Sequence, residues 1–163
     1  MGASAKYRVG IVGAGYVSAY HLRALKGLDG VTVVGIADSN LALAQKTAAA
    51  FGVPAVFRDR EELAAAKPDV VHILTPPASH CELAVRAMEL GAHVFVEKPM
   101  AETVEDCDRM LAAAKATGRV LSVNHSARMD PVVLRALDLV RAGAVGEVLA
   151  VHVFRNSDYP PYV

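Results

Sequence analysis

Lys98 has the residue type and the setting for proton transfer. It stands between Glu97 and Pro99, directly after an apolar segment that has the length of a buried strand. A lysine at the end of a strand could exchange a proton with a substrate hydroxyl. An exposed Glu–Lys pair in a turn would look the same in the sequence. The predicted strands and turns around Lys98 indicate which of the two interpretations is correct.

A glycine turn near the start of the chain predicts a binding site for a diphosphate. The apolar segment 7–12 ends at Gly13 and Gly15, and a helical pattern of apolar residues follows. Gly13 permits a tight turn, and Gly15 lets the backbone approach a diphosphate without a Cβ in the way. The N–H groups of the helix's first turn would then hold the phosphate charge. Ser18 stands where a third glycine is usual, and it is small enough for the helix to pack closely on the strand.

The next strand-like segment, residues 31–37, ends at Asp38. A carboxylate about 20 residues beyond the glycines can accept hydrogen bonds from an adenosine ribose. It also repels a 2′-phosphate, so Asp38 favours NAD, with NADP as the second option. The alternative is that Asp38, followed by Ser39 and Asn40, only caps the helix that begins at Leu41. The order of strand, turn, helix, strand and acid favours the cofactor.

Strand and helix patterns alternate through residues 1–124 and predict six strands. Strands joined by helices run parallel, and right-handed connections place helices on both faces of the sheet. We therefore expect an α/β fold, a doubly wound parallel sheet of the Rossmann type. Ser79 with Glu82 predicts a capping box at one helix start. Ligands of such sheets bind beyond the carboxyl ends of the strands, which are followed here by Thr75–Pro77, Glu97–Pro99 and Asn124–His125.

The character of the sequence changes from residue 125 onward. Asp130 followed by Pro131 predicts the start of a helix, and residues 147–155 alternate in a way that predicts a strand. The remaining sequence contains no second core to shelter that strand. We expect this segment to be disordered, proteolysed or paired with another chain, because an apolar strand with unpaired edges tends to associate.

Composition excludes several classes of protein. The chain has 163 residues with 17 basic and 17 acidic side chains, so no broad field recruits nucleic acid or an anionic membrane. Its longest apolar runs are too short to span a bilayer, and the N-terminus lacks the apolar core of a signal peptide. Cys81 and Cys107 predict two reduced thiols in the cytoplasm. No grouping of histidine, cysteine and carboxylate has metal-ligand spacing, so no metal site is predicted.

The motifs together resemble the N-terminal part of the Gfo/Idh/MocA oxidoreductases, a family that includes glucose–fructose oxidoreductase and inositol dehydrogenase. The matching motifs are Gly10–Gly15 with His21, Ala37-Asp38, Thr75–Pro77 with His80, Glu97–Pro99, Arg128 with Pro131, and Gly143–Glu147. The resemblance implies NAD(P)-dependent hydride transfer to or from a sugar, cyclitol or related polyol. It also implies that Thr75 and Pro76 lie near the nicotinamide ribose, and that Lys98 and Arg128 lie near the reaction centre.

These interpretations give one set of expected site residues. Lys98 is the expected catalytic residue, and His125 and Arg128 are expected to contact substrate. The expected cofactor contacts are Gly13, Gly15, Tyr16, Val17, Asp38, Thr75, Pro76, Glu97 and Lys98.

Members of the family continue into a second α/β domain with an open, mostly antiparallel sheet, which supplies a further catalytic Asp and His. Residues 125–163 hold only the first helix and strand of such a substrate or oligomerisation domain, so catalysis by this chain alone is an open question. We expect a homo-oligomer, or a complementary chain that pairs through residues 147–155. Two alternatives remain. One is a non-catalytic dinucleotide-binding module or sensor that pairs with a partner chain. The other is a methyltransferase, which fits the glycine spacing less well.

Overall fold

A six-stranded parallel sheet organises the first part of the chain, in a computed structural model that describes residues 7–154. The strands are β1 (Tyr7–Val12), β2 (Val31–Ala37), β3 (Val56–Phe57), β4 (Val70–Ile73), β5 (His93–Val96) and β6 (Leu121–Val123). They are hydrogen-bonded in the order β3-β2-β1-β4-β5-β6, and every neighbouring pair is parallel. The predicted doubly wound sheet is confirmed. The chain leaves β1 and β4 in opposite lateral directions, which opens a crevice beyond their carboxyl ends.

Helices connect the strands, and most of them begin at a polar residue whose side chain accepts a backbone N–H. The helices are α1 (Ser18–Lys26), α2 (Leu41–Phe51), α3 (Arg60–Ala65), α4 (His80–Glu89), α5 (Val104–Thr117) and α6 (Pro131–Arg141). The side chains that cap α2, α3, α5 and α6 belong to Asn40, Asp59, Thr103 and Asp130. Such a cap typically stabilises a helix by about 1 kcal/mol.

Each face of the sheet carries its own apolar core. On one face α1 and α2 pack against the sheet, and Leu22 and Ile36 are buried there. On the other face α3, α4 and α5 pack through side chains that include Met88 and Met110. Fully burying a side chain of this size contributes about 1.5–3 kcal/mol, so the two cores stabilise the sheet from both faces.

The predicted capping box at Ser79 is wrong. Residues Pro77–Ser79 form a 3₁₀ turn, so Ser79 already has helical backbone angles where α4 begins. Its hydroxyl bonds to the hydroxyl of Thr75 at 2.7 Å and to the carbonyl oxygen of Pro76 at 2.9 Å. The side chain therefore closes the loop after β4, and it does not cap the helix.

The chain divides into two compact units, residues 1–124 and 125–163. In the second unit a 3₁₀ turn, Ser126–Met129, precedes α6. The strand predicted for residues 147–155 is wrong as far as residue 154, because residues 148–154 form neither helix nor strand, and Arg155 lies outside the described residues. A strand exists only through hydrogen bonds to a neighbour, and no segment within residues 7–154 pairs with this one. Leu149 and Phe154 are accordingly 88% and 92% exposed.

Within the described part of the chain, none of the helices combines the length and the apolar composition needed to cross a bilayer.

Candidate dinucleotide site

The two glycines of the turn after β1 are required for different reasons. Gly13 has φ +101°, and a Cβ on it would lie 2.8 Å from the carbonyl carbon of Leu74, so the fold itself demands glycine there. Its N–H donates to the carbonyl oxygen of Ala37 at 2.8 Å. Around Gly15, by contrast, no heavy atom of residues 7–154 beyond its two chain neighbours lies within 4 Å of a Cβ position. The fold leaves this space open, as close approach of a diphosphate to the backbone requires.

Helix α1 begins directly after this turn and is tied to it by Ser18. The Ser18 hydroxyl donates to the carbonyl oxygen of Gly15 at 2.6 Å, and the side chain is buried. No side chain caps the helix at Val17, and its first turn contains no acidic residue. Helix α1 therefore places no carboxylate of its own first turn at the positive end of its dipole, which suits an anionic ligand.

Asp38 is fixed at the end of β2 by two backbone groups. Its Oδ2 accepts the N–H of Ala14 at 2.7 Å, and its Oδ1 accepts the N–H of Asn40 at 2.8 Å. The N-cap of α2 is Asn40, whose side chain accepts the N–H of Leu43 at 3.1 Å. The interpretation of Asp38 as a helix cap is therefore wrong. The carboxylate instead holds the glycine turn beside the end of β2.

A cavity of about 440 Å³ opens over this turn. Its size falls within the usual range for small-molecule sites. Five of the predicted cofactor contacts line it, namely Gly13, Gly15, Asp38, Thr75 and Pro76. Tyr16, Val17, Glu97 and Lys98 do not. Tyr16 packs edge-on against Tyr20, with 5.3 Å between the ring centroids.

His80 joins the loops that follow β4 and β5. One ring nitrogen lies 2.8 Å from the carbonyl oxygen of Thr75, and the other lies 3.0 Å from that of Pro99. The ring is completely buried. In the sequence His80 appears only as part of a motif with Thr75–Pro77, and nothing there indicates this bridge, because both partners are backbone atoms of loops.

Glu97 turns its carboxylate into the protein. Oε1 accepts the Asn124 side-chain amide at 2.6 Å and lies 3.0 Å from Nε2 of His21, and Oε2 accepts the N–H of Lys98 at 3.2 Å. Burial works against ionisation of Glu97, but the hydrogen bonds from Asn124, His21 and Lys98 outweigh it and lower its pKa below the usual value. The carboxylate thus connects α1, the end of β5 and the end of β6.

His72 extends this network on the same face of the sheet. Its Nδ1 lies 3.0 Å from Nδ1 of His21, and both rings contact Phe95. Burial, with a smaller effect of His21, lowers the pKa of His72 to about 4. His72 is therefore uncharged near neutral pH. With Glu97 ionised and His72 neutral, His21 can donate from Nε2 to Glu97 and accept at Nδ1 from His72.

The remaining predicted residues fall in two separate places. Lys98 is exposed directly after β5, and its peptide bond to Pro99 is cis. His125 and Arg128 belong to the second unit, where the N–H of Arg128 donates to the carbonyl oxygen of His125 at 2.9 Å across one turn. The structure thus places Lys98 next to the loop of Thr75 through His80, while His125 and Arg128 share a 3₁₀ turn of their own unit.

A parallel sheet in this strand order, with a glycine turn after β1 and an acid after β2, defines the class of Rossmann dinucleotide-binding domains. Residues 7–125 match the family model described as "Oxidoreductase family, NAD-binding Rossmann fold", the Gfo/Idh/MocA group. The chain belongs to this family, which confirms the resemblance found in the sequence and the expected cofactor class.

Curated relatives match over nearly the whole chain. Inositol 2-dehydrogenase 1 of Saccharopolyspora erythraea is 37% identical over 158 residues, which cover 92% of this chain and 46% of the relative. The 1-carboxy-3-chloro-3,4-dihydroxycyclohexa-1,5-diene dehydrogenase of Comamonas testosteroni is 37% identical over 154 residues, covering 93% of this chain and 38% of the relative. The chain therefore spans less than half the length of these relatives.

A similar solved structure is that of the WlbA dehydrogenase from Bordetella pertussis in complex with NADH and UDP-GlcNAcA. It superimposes with a TM-score of 0.82 at 31% identity, over 86% of this chain and 41% of that one.

Proposed function

We propose that this chain is the nucleotide-binding half of an NAD(P)-dependent dehydrogenase that acts on a hydroxyl group of a sugar, cyclitol or related polyol. The observation that carries the proposal is the cavity of about 440 Å³ over the glycine turn, with Gly15 open to it and Asp38 fixed at its edge. The inositol dehydrogenase and the NADH-bound WlbA dehydrogenase among its relatives support the substrate class and the cofactor.

The residues of the cavity fit the parts of a dinucleotide. The turn at Gly13 and Gly15, with the first turn of α1, would hold the diphosphate, and Asp38 would accept the hydroxyl groups of the adenosine ribose. Thr75 and Pro76 would contact the nicotinamide ribose. Bound NAD supplies the acceptor for a hydride. The absence of a Cβ at Gly15 supports this assignment, because its φ is not among the positive values that favour glycine and the fold leaves the space empty.

Lys98 would exchange a proton with the substrate hydroxyl through its Nζ atom, with His125 and Arg128 as substrate contacts. Glu97 supports this role indirectly, because its carboxylate is bonded to the N–H of Lys98 and to two neighbouring elements. We propose that Glu97 orients Lys98, and that its contribution to cofactor binding acts through the position of the loop.

We further propose that residues 125–163 open a second domain that completes the polyol site and mediates homo-oligomerisation. The exposed segment 148–154 would form a strand by pairing with another strand of that domain or of a second copy, since its backbone has no strand partner within residues 7–154. Cys81 and Cys107 are both free thiols, which suits the reducing environment of the cytoplasm.

The proposal is tested by calorimetric titration of the purified chain with NAD, followed by an assay for NADH formation from inositol and aldoses. The assay is run with the chain alone and after mixing with a complementary C-terminal domain. We expect NAD binding by the chain and turnover by the mixture. A folded chain that does not bind NAD would contradict the proposal. Binding without turnover in any mixture would favour a non-catalytic module.

A further inference from the structure

Arg58 lies at the edge of the cavity near Asp38, and its guanidinium has no partner among residues 7–154. β2 and β3 pair with Ala37 opposite Phe57, and the N–H of Asp38 donates to the carbonyl oxygen of Phe57 at 3.4 Å. Asp38 and Arg58 directly follow this residue pair, so they lie at the ends of two neighbouring strands. Neighbouring strands are about 4.8 Å apart. Both residues line the same cavity.

The other charged groups lining this cavity are already bonded. Arg60 binds the carboxylates of Glu61 at 2.9 Å and Glu82 at 2.8 Å. Asp59 caps α3 by accepting the N–H of Glu62 at 2.9 Å. Both oxygens of Asp38 accept backbone N–H groups. Asp38 therefore contributes a fixed negative charge that no cation of the cavity neutralises.

Arg58 differs from these residues because its backbone forms a hydrogen bond within residues 7–154 but its side chain does not. Its N–H donates to the side chain of Glu62 at 2.9 Å, and the residue is exposed. Within residues 7–154 its guanidinium forms neither an ion pair nor a hydrogen bond. A guanidinium binds a phosphate through parallel N–H groups, and its planar face also stacks on aromatic rings. An unpaired guanidinium beside a ribose-binding carboxylate is therefore suited to a 2′-phosphate.

We propose that Arg58 is a specificity-determining residue that opposes Asp38. Asp38 selects the free ribose hydroxyl of NAD, and Arg58 offsets the repulsion of a 2′-phosphate, so that the site binds NADP as well as NAD. The inference rests on the proposed function, because it takes the cavity at Asp38 as the adenosine end of the dinucleotide site.

The test is a cycle of four proteins: wild type, Arg58→Gln, Asp38→Ala and the double variant. Calorimetry gives the dissociation constants of NAD and NADP, two ligands that differ only by the 2′-phosphate. Arg58→Gln should weaken NADP by about tenfold and change NAD by less than about twofold. Asp38→Ala should shift the preference towards NADP, and adding Arg58→Gln should remove most of that shift.

Arg60→Gln is the matched control, because Arg60 lines the same cavity but is bonded to Glu61 and Glu82. It should leave the ratio of the two constants unchanged. The effect of Arg58 on the ratio should shrink as salt rises, since exposed charges are screened.

An unchanged ratio in Arg58→Gln, in both the wild-type and the Asp38→Ala backgrounds, overturns the inference and leaves the proposed function intact. A wild-type chain that binds neither ligand, while circular dichroism shows it folded, overturns both. These two failures are distinguishable because NAD binding is measured in every protein of the cycle.

Discussion

The Nε2 atom of His21 lies 3.0 Å from Oε1 of Glu97, so the helix that follows the glycine turn is hydrogen-bonded to the strand end that precedes Lys98. His21 is 8% exposed and Glu97 is 9% exposed, which makes this a contact within the protein interior. Hydrogen bonds to charged groups at such depth contribute more than surface ion pairs. The predicted diphosphate site and the predicted catalytic lysine are therefore parts of one connected structure.

Glu97→Gln should destabilise the protein by about 1–3 kcal/mol near pH 7, because it removes the charge that three donors share. The hydrogen bonds lower the pKa of Glu97 in the folded state, so its contribution is present above the unfolded pKa and is lost as pH falls through the folded one. Urea unfolding of both proteins at a series of pH values measures this difference. It should be largest near neutrality and decline below the ordinary glutamate pKa of 4.5.

Glu89→Gln serves as the control, because Glu89 forms an exposed pair with Arg86 at 3.6 Å. Its effect should stay below about 1 kcal/mol at every pH. Equal effects of the two substitutions would show that the network around Glu97 contributes nothing special.

His72→Phe should flatten the decline in stability on acidification. The pKa of His72 falls from 6.5 to about 4 on folding, so between these values the unfolded chain binds a proton that the folded protein does not. Wild-type stability therefore drops through this window as pH falls, by up to about 3 kcal/mol. The variant should lack this part of the drop. Parallel stability curves for the two proteins over this range would contradict the assignment.

Gly15→Val should abolish NAD binding and leave helix content nearly unchanged. A Cβ at Gly15 would meet no heavy atom of the described residues beyond its chain neighbours, but it would occupy the space proposed for the diphosphate. Gly13→Ala is the matched contrast: φ of +101° and a 2.8 Å approach to the Leu74 backbone should destabilise the fold by at least about 2 kcal/mol. Calorimetry with NAD and urea unfolding measure both effects. Unaltered NAD affinity in Gly15→Val would place the site elsewhere.

Lys98→Ala should reduce turnover by about 10²–10⁴-fold, with little change in NAD affinity, when the chain is assayed together with a complementary C-terminal domain. The reason is that Lys98 does not line the cavity over the glycine turn but follows the strand end beside it. Lys115→Ala, in the last turn of α5, should leave turnover unchanged. Normal turnover in Lys98→Ala would show that Lys98 has no catalytic role and is an ordinary exposed side chain.

Local patterns were enough to predict the sheet and the position of Asp38. The segment before Gly13 is apolar and rich in β-branched residues, and several of the later strand patterns end at a glycine or an acidic residue. The sequence therefore indicates the ends of each element to within a few residues. The strand predicted for residues 147–155 had the same local pattern, but a strand also needs a distant partner. Alternation alone could not show that this partner was absent from residues 7–154.

The contacts of the candidate site could not be predicted, because they join residues far apart in the chain. Glu97 meets His21 across 76 positions and Asn124 across 27. The available signal was a glutamate at the end of an apolar strand, where burial requires hydrogen-bond partners. That rule predicts that partners exist and leaves their identity open. His80 carried even less signal, since its partners are the backbone carbonyls of Thr75 and Pro99.

The exposed segment 148–154 makes this protein prone to aggregate in solution. The segment Val-Leu-Ala-Val-His-Val-Phe contains no permanent charge, proline or glycine, and its large side chains lie in solvent. Short uncharged stretches of this composition stack into fibrillar sheets when several copies meet. A solution of this chain should therefore turn cloudy sooner as the protein concentration rises.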